Sequence, residues 1–378
     1  MNSRSIQLGM AAAAVALMAG SASAAPAPAA APAAKPAPST PSCNRACLVR
    51  ILDRWFDALA SHSAKGLPLA KDVRFTEQAA RLPIGDGLFV STTEGPTTFK
   101  IVAADPTSGQ VGAIVMMKQW GKPVEVTVRL KVAGGKISEA EQIFAADLRP
   151  AALANLETPR QALLDDVPAS ERTPRAKLLA AAFSYFDALE QDGGRFAPFA
   201  DDCTRHENGL QTSTNTKPAP APIDSAAGGN PALAKLGTLS CAPQLDTHMM
   251  QYITMIRPRH LTIIDEQKGL VLGFPRFVHR GTTRLEHLAG AADGQTMPMN
   301  FGPFDLQASE MFKIRSGQIH EIEATGFLNA YMAPTGWDDR YPEHYKFAVT
   351  HPHTHPYTAG TSSADLMHPQ PSSEAITK

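Results

Sequence analysis

The sequence predicts an α+β fold made of two copies of one domain, each a helix followed by a curved antiparallel sheet. The clearest sign is a hairpin pattern at 126–141 and again at 308–323, where apolar and polar residues alternate around a glycine turn. The two segments align at an offset of about 182, which pairs Gly135 with Gly317. Helix patterns that precede strand patterns in both halves are typical of α+β domains.

Further matches in the same order support a duplication. Residues 55–59 match 185–189 at an offset of about 130, and residues 104–111 match 264–271 at an offset of about 160. The growing offset places two long insertions in the second copy. Such insertions often carry function on a rigid scaffold, although they can also be packing elaborations.

Each copy is predicted to open with an amphipathic helix. Apolar residues recur at helical spacing from Leu48 to Leu59 and from Leu178 to Leu189. We divide the chain into six regions: a signal peptide at 1–24, an Ala/Pro-rich spacer at 25–42, a first domain at 43–145, a connector at 146–172, a second domain with insertions at 173–337, and a His/Pro-rich, partly disordered tail at 338–378.

The first 24 residues have the parts of a secretory signal. Arg4 provides the charged region, residues 8–19 the apolar run, and Ala22-Ser23-Ala24 the small-residue cleavage site. No later stretch of about 18 apolar residues could span a membrane. We therefore expect a periplasmic or secreted protein with no membrane span.

Composition and motifs exclude several function classes. With 378 residues, 43% of them hydrophobic, and a formal charge of −1, the chain can bury two cores and shows no basic excess for nucleic acid. It has no glycine-rich phosphate loop after a strand, no Gly-x-Ser-x-Gly and no His-Glu-x-x-His. Nucleotide cofactors, serine hydrolysis and zinc proteolysis are therefore disfavoured, and we expect no cofactor.

Four cysteines, Cys43, Cys47, Cys203 and Cys241, can pair in three ways. Cys43 and Cys47 are one helical turn apart, whereas Cys203 and Cys241 bracket the first insertion, which favours these two local disulfides in an oxidising compartment. A zinc site is the alternative, but the spacing does not fit a four-cysteine cluster. Tail residues His351, His353 and His355 could chelate a metal, though such runs more often bind metal adventitiously, so we predict no metal site.

Four consecutive polar residues follow the predicted helix of the second copy: Arg205, His206, Glu207 and Asn208. In a strand, alternation would send His206 and Asn208 to one face and Arg205 and Glu207 to the other. Only one of these pairs can line a pocket. Arg205 and Glu207 could instead form a structural ion pair, because Glu77 stands at the matching position of the first copy.

The first insertion contributes Asp246, His248 and Tyr252, and a strand pattern after it ends at His279. If residues 246–255 form a helix, Asp246 is its N-cap; otherwise Asp246 could act as a base that faces His206. Tyr252 could donate to a substrate oxygen. A single His at the end of a strand is most often a surface residue, so His279 could be either a surface residue or a substrate-binding residue.

Several sequence phrases resemble a secreted family of fungi and bacteria with tandem nuclear transport factor 2-like domains, of the superfamily that includes SnoaL-like polyketide cyclases and ketosteroid isomerase. The phrases lie at 43–48, 73–77, 85–88, 206–212 and 312–317. The resemblance implies cone-shaped domains with a pocket in the open mouth, where acids and bases catalyse reactions of small apolar molecules without a cofactor. In some members these are lignin-derived aromatics that release formaldehyde. Fold alone does not determine the reaction.

We predict a cofactor-independent lyase or isomerase, which eliminates water or formaldehyde or shifts a proton in a small apolar molecule. The predicted catalytic residues are His206, Glu207 and Asp246, and the predicted substrate-binding residues are Arg205, Asn208, His248, Tyr252 and His279. The alternative is a non-catalytic binding or scaffold protein, in which the three catalytic candidates need not meet in one water-poor pocket. A metal carrier that uses the histidine tail is a weaker alternative. The two copies are expected to pack on each other within the chain.

Overall fold

A computed structural model describes residues 43–216, 236–281, 284–286, 288–289, 296–298 and 301–337. The predicted signal peptide, spacer and tail, including His351, His353 and His355, lie outside the described residues. The described residues fall within one compact unit. No helix among them is long and apolar enough to cross a membrane.

The first half is a long helix packed on a curled seven-stranded sheet. Its helices are α1 (Arg45–Ala60) and α2 (Leu88–Ser91), and its strands are β1 (Leu69–Glu77), β2 (Ala80–Arg81), β3 (Thr92–Glu94), β4 (Lys100–Asp105), β5 (Gln110–Gln119), β6 (Lys122–Ala133) and β7 (Lys136–Ala145). The strand order is β2-β1-β7-β6-β5-β3, and β4 also pairs with β5.

The connector contributes two short helices, α3 (Pro150–Asn155) and α4 (Gln161–Leu164). The second half then forms a six-stranded sheet in the order β10-β11-β14-β15-β8-β9, and β12 pairs with β13 apart from it. Its elements are α5 (Arg175–Glu190), β8 (Phe199–Glu207), β9 (Leu210–Gln211), α6 (Cys241–Leu245), β10 (Met255–Asp265), β11 (Leu270–His279), β12 (Arg284–Leu285), β13 (Met297–Pro298), β14 (Phe304–Arg315) and β15 (Gln318–Ala330).

The prediction of purely antiparallel sheets needs a correction. In each sheet one pair is parallel: β1 with β7, and β8 with β15. A tight hairpin can join only antiparallel strands, whereas these pairs are joined by long stretches of chain that let the second strand return in the same direction. The sheets are therefore mixed, and the parallel pair brings the first strand of each half beside the last.

The predicted helices are confirmed, and each fills the concave face of its sheet. Helix α1 begins after Asn44, whose side chain accepts a hydrogen bond from the backbone N–H of Cys47 at 3.0 Å. Its apolar stripe, which includes Trp55, packs with strands of the first sheet into one core. Helix α5 packs in the same way, with Tyr185 and Phe186 in the core of the second sheet.

Residues that match in the repeated sequence also match in strand register. Leu69 pairs with Ile137 in the first sheet, and Phe199 pairs with Ile319 in the second. A turn residue bridges each parallel pair: Gln78 exchanges two hydrogen bonds with the backbone of Phe144, at 3.0 and 2.8 Å. Asn208 does the same with Gly326, at 3.0 and 2.7 Å. The strand register and the side-chain bridge of the parallel pair are therefore the same in both halves.

The two sheets pack against each other through the faces that point away from the helices. An apolar cluster joins residues of both sheets, among them Ile114 and Met116 with Leu272 and Phe274. Side chains of the second sheet pack directly on the backbone at Gly112, where an added Cβ would lie 2.7 Å from Leu272 Cδ2. The second sheet is therefore held on a fixed support.

Both predicted disulfides are confirmed. Cys43 is bonded to Cys47, with their Cα atoms 5.3 Å apart, and Cys203 is bonded to Cys241, with their Cα atoms 5.6 Å apart. The first bond closes the start of α1. The second ties α6, within the first insertion, to strand β8.

Candidate functional site

A cavity of about 200 Å³ opens into the concave face of the second sheet. Strands β8, β11, β14 and β15 form its floor, and helix α5 and the segment at 250–253 form its walls. The apolar part of the lining includes Leu189, Met250, Ile253, Phe277, Leu306 and Ala308. The polar part consists of Tyr185, Arg205, Glu207, Asn208, Tyr252, His279 and Glu310. The cavity is thus apolar with a few convergent polar groups, as ligand sites usually are.

Arg205 is the buried cation of this site. Strand β8 directs its side chain into the core, where only 6% of the residue is exposed. Its Nη2 donates to Gln244 Oε1 at 2.7 Å, and its Nη1 lies 3.4 Å from the Tyr185 hydroxyl. Its Nε lies 3.0 Å from Glu207 Oε1. The guanidinium is therefore held by several groups and neutralised by one carboxylate.

Gln244 holds Arg205 from the first insertion. Its amide Nε2 donates to the backbone carbonyls of Thr212, at 2.6 Å, and of Leu236, at 2.9 Å. These two bonds orient its Oε1 toward the guanidinium. Because Gln244 lies on α6, the disulfide between Cys203 and Cys241 fixes the distance between this helix and the strand that carries Arg205.

Glu310 is the functional candidate that sequence reasoning missed. It lies on β14 with 4% of its surface exposed, lines the cavity, and its Oε2 has no hydrogen-bond partner among the described residues. Burial, and next the charge of Glu207, raise its pKa well above the usual range. Burial therefore favours the protonated form of Glu310, which can donate a hydrogen bond. The signal in the sequence was a lone carboxyl on the apolar face of a strand, between Ala308 and Phe312.

Glu207 is the second carboxyl group of the cavity. About half of its side chain is exposed, and it forms an ion pair with Arg205. Alternation along β8 brings Arg205 and Glu207 to the same face, as predicted. The cavity therefore has one carboxyl group paired with a cation and, on another strand, one buried carboxyl group with an oxygen that has no partner among the described residues. Two acids in different environments within one site are typical of acid–base sites.

Two predicted binding residues form an aromatic wall. The rings of Tyr252 and His279 stack with their centroids 5.6 Å apart, and His279 stacks on Phe304 at 4.2 Å. Burial lowers the pKa of His279 to about 4, so its ring is neutral at pH 7. Burial raises the pKa of Tyr252 to about 12, so its hydroxyl keeps its proton.

The structure does not bring His206 to the cavity. Strand alternation turns its side chain to the opposite face of β8, where it is buried beside Glu323 in the strand pairing. Burial, and next the charge of Arg160, lower its pKa to about 3. A buried imidazole on the face of the sheet opposite the cavity cannot exchange a proton with a ligand in the cavity.

Asp246 and His248 also lie outside the cavity lining. Residues 246–255 do not form the expected helix: Asp246 ends α6 instead of starting a helix, because His248 adopts a left-handed backbone conformation with φ 61°. The Asp246 carboxylate accepts a hydrogen bond from the backbone N–H of Gly194 at 2.8 Å, and His248 Nδ1 lies 3.2 Å from Asp192 Oδ2. Both residues fasten the insertion to the end of α5.

Asn208 lines the cavity, contrary to the alternation that would place it with His206. It lies one residue beyond β8, in a left-handed turn with φ 48°. Its amide is engaged by the backbone of Gly326, which makes it a structural bridge. Within the described part of the chain, no group of three or more His, Cys, Asp or Glu side chains could hold a metal ion.

Comparison with known families gives one match. The model of a domain of unknown function, DUF8021, matches residues 171–326, which contain the cavity. No curated protein matches the chain. The family match covers the second half of the protein and carries no assigned reaction.

Solved structures give matches at low similarity. AusH from Aspergillus nidulans is 12% identical, over 41% of this chain and 86% of its own, with a TM-score of 0.24. AclR from Streptomyces galilaeus, a hydroxylase candidate, is 13% identical over 34% and 92%, with a TM-score of 0.23. A ketosteroid isomerase candidate from Kribbella flavida is 18% identical over 32% and 89%, with a TM-score of 0.22. Similarity this low carries no argument about function, so the chemistry of the site rests on its own residues.

Proposed function

We propose that the cavity of the second sheet carries cofactor-independent acid–base catalysis, of the lyase or isomerase type, on a small apolar molecule that bears oxygen. The observation that supports this most directly is Glu310, a buried carboxyl group whose Oε2 has no partner among the described residues, in the same cavity as Glu207, which pairs with Arg205. Proton transfer needs one group that can donate and one that can accept.

In this proposal Glu207 removes a proton from carbon while Glu310 protonates the oxygen of the substrate. In the elimination of water, that oxygen leaves as water, a double bond forms, and the proton taken by Glu207 returns to Glu310 directly or through solvent. In the release of formaldehyde, Glu207 instead takes the proton of a hydroxymethyl O–H, the carbon–carbon bond breaks to give formaldehyde, and Glu310 protonates the carbon that is left. In an isomerisation, Glu207 returns its proton to a different carbon, the enol oxygen gives its proton back to Glu310, and a double bond has moved. Arg205 positions Glu207, and the rings of Tyr252 and His279 hold an apolar or aromatic body.

A non-catalytic binding protein is the second candidate. The close pairing of Glu207 with Arg205 favours it, because a carboxylate that is held by a guanidinium is a weaker base. Such a protein would use Glu310 only as a hydrogen-bond donor to its ligand.

We also propose that the chain is a tandem of two nuclear transport factor 2-like domains, at 43–145 and 173–337, joined by the connector at 146–172, and that it is exported. The shared strand order, register and turn bridges support the duplication. The N-terminal sequence pattern and the two disulfides support export.

A product screen by mass spectrometry tests the proposed function. The purified, disulfide-bonded protein is treated with a chelator and incubated with oxygen-bearing aromatic and terpenoid compounds, lignin-derived alcohols among them. We expect loss of water or formaldehyde, or an isomer of unchanged mass resolved by chromatography. Turnover should fall about 100-fold or more in Glu310→Gln and in Glu207→Gln.

Two matched variants serve as controls. Glu77→Gln changes the carboxyl group that matches Glu207 in the first sheet, and Asp246→Asn changes a carboxylate that fastens the insertion outside the cavity. Both should retain most of the turnover. The catalytic proposal fails if Glu310→Gln and Glu207→Gln are as active as these controls. It also fails if no compound is converted while some of them raise the melting temperature, a result that supports the binding protein.

A further inference from the structure

The size of the cavity limits the ligand. A volume of about 200 Å³ is slightly larger than the roughly 150 Å³ of an engineered protein cavity that binds benzene. It is below the range of about 300–1,000 Å³ that is usual for sites of drug-sized ligands. One six-membered ring with a short substituent fits this space, whereas two fused rings do not fit unless the walls move.

The charges of the cavity also limit the ligand. Arg205 is the one permanent cation in the described lining, and its donors are directed to Glu207, Gln244, Tyr185 and Thr212. A ligand carboxylate would therefore lose its hydration without gaining an unpaired cation, and it would face the negative charge of Glu207. Burial of an uncompensated carboxylate is strongly unfavourable.

Glu310 offers the ligand an unpartnered carboxyl oxygen. Glu310 Oε2 has no partner among the described residues, while the Asn208 amide and the Arg205 guanidinium are engaged by protein groups. A buried donor without an acceptor is unfavourable, so a ligand gains affinity if it brings an oxygen acceptor to this point. The remaining walls are mostly apolar, and the stacked rings of Tyr252 and His279 form part of them.

From these three limits we infer that the site selects an uncharged, single-ring compound whose one carbonyl or hydroxyl oxygen accepts a hydrogen bond from Glu310, and that it rejects carboxylates and fused rings. This inference rests on the cavity assigned under the proposed function, and it names the class of substrate or ligand. It concerns binding, so it can be tested whether or not a reaction is found.

Isothermal titration calorimetry of the full disulfide-bonded protein at pH 7 tests the inference with four probes. Acetophenone has one ring and a carbonyl, benzoate is its charged counterpart of similar size, ethylbenzene lacks the oxygen, and 2-acetylnaphthalene adds a fused ring. We expect acetophenone to bind at least 10-fold more tightly than each of the other three. Wild-type protein alone gives this result, so no variant has to fold for the first test.

Two variants sharpen the test. Glu207→Gln frees the Arg205 guanidinium, so benzoate should gain at least 10-fold in affinity while acetophenone changes little. Met250→Ala removes part of a cavity wall, so 2-acetylnaphthalene should gain and acetophenone should not. Thermal unfolding of each variant confirms that it is folded before the titration.

The inference is overturned if wild-type protein binds benzoate or 2-acetylnaphthalene as tightly as acetophenone, or if acetophenone does not bind. The proposed reaction fails separately, if the expected selectivity holds but no uncharged single-ring compound is converted. Turnover of a carboxylate or a fused-ring compound would leave the reaction standing and refute this inference.

Discussion

The concave faces of the two sheets have matching strands but opposite contents. Where the second sheet places Arg205 and Glu310, the first has Phe75 and Val128, both buried in its core. The rings of Trp55, Phe75 and Phe89 pack edge to face there, with centroids 5.2 to 6.1 Å apart. The first sheet thus has a filled core where the second has a polar cavity, and the difference lies in two positions that are apolar in one half and polar in the other.

The two halves also differ in the segment that follows the short second strand of each sheet, β2 in the first half and β9 in the second. In the first sheet it forms α2, which buries Leu88 and Phe89, and the backbone N–H of Leu88 donates to Glu77 Oε2 at 2.8 Å. Burial raises the pKa of Glu77, while bonds to Leu88 and Gln142 lower it. In the second half, the first insertion follows β9 at the point where the first half has α2. A similar carboxyl position thus serves packing in one half and opens to a cavity in the other.

The largest effect on stability is expected when the residues at one matching position, Val128 and Glu310, are exchanged. Val128→Glu places a carboxyl group in the filled core, and we expect it to lower the free energy of unfolding by about 5 kcal/mol, from lost packing and an unpartnered buried acid. Glu310→Val fills a cavity wall and should not lower it. Chemical denaturation measures both, and equal losses in the two variants would contradict the contrast.

The next largest effect on stability is expected when a disulfide is removed, and it should differ between the two bonds. They join residues separated by 38 positions, Cys203 and Cys241, and by 4 positions, Cys43 and Cys47. In the chain-entropy model, loss of the longer loop costs about 4 kcal/mol and loss of the shorter about 2 kcal/mol. Paired cysteine-to-alanine variants and thermal unfolding measure this difference. The longer bond should also matter for the ligand site, because it holds Gln244 against Arg205; acetophenone affinity should fall only in its absence.

Glu125, at the contact between the halves, should make the free energy of unfolding depend on pH by about 2 kcal/mol. Glu125 is fully buried there, and burial followed by the charge of Glu323 raises its pKa well above the usual range, against the opposing effect of a hydrogen bond with Thr325. Arg160, which could offset this charge, pairs with Glu323 at 2.8 Å. Above the usual pKa the unfolded chain ionises while the folded protein does not, so stability is lost as pH rises.

Glu125→Gln removes this penalty. Compared with wild type, the variant should gain about 2 kcal/mol or more between pH 4 and pH 8, and the two proteins should converge at the acidic end. Urea denaturation across this pH range measures the difference. A constant difference at every pH would show that Glu125 is ionised in the folded protein.

Short-range patterns predicted much of the fold. Helical spacing placed α1 and α5, cysteine spacing gave both disulfides, and alternation along β8 put Arg205 and Glu207 on one face. The parallel strand pairs could not be predicted, because they depend on where distant segments return. The roles of Asp246 and His248 depend on a left-handed turn and on contacts with Gly194 and Asp192, which no local pattern indicates.

The site was predicted only in part for the same reason. Alternation indicates which residues share a face, but it does not show which face is concave. The sequence therefore predicts His206 as catalytic although its side chain lies on the face opposite the cavity, and it does not indicate Glu310, which lies on another strand. A carboxyl group on the apolar face of a strand was the available signal.

The protonation state of Glu310 at neutral pH tests the central claim most directly. An infrared difference spectrum between wild type and Glu310→Gln at pH 7 isolates the carboxyl group of this one residue. We expect the carbonyl stretch of a protonated carboxylic acid, present in wild type and absent in the variant. A band of an ionised carboxylate in its place would contradict the account, because the second sheet would then lack the acid on which its chemistry depends.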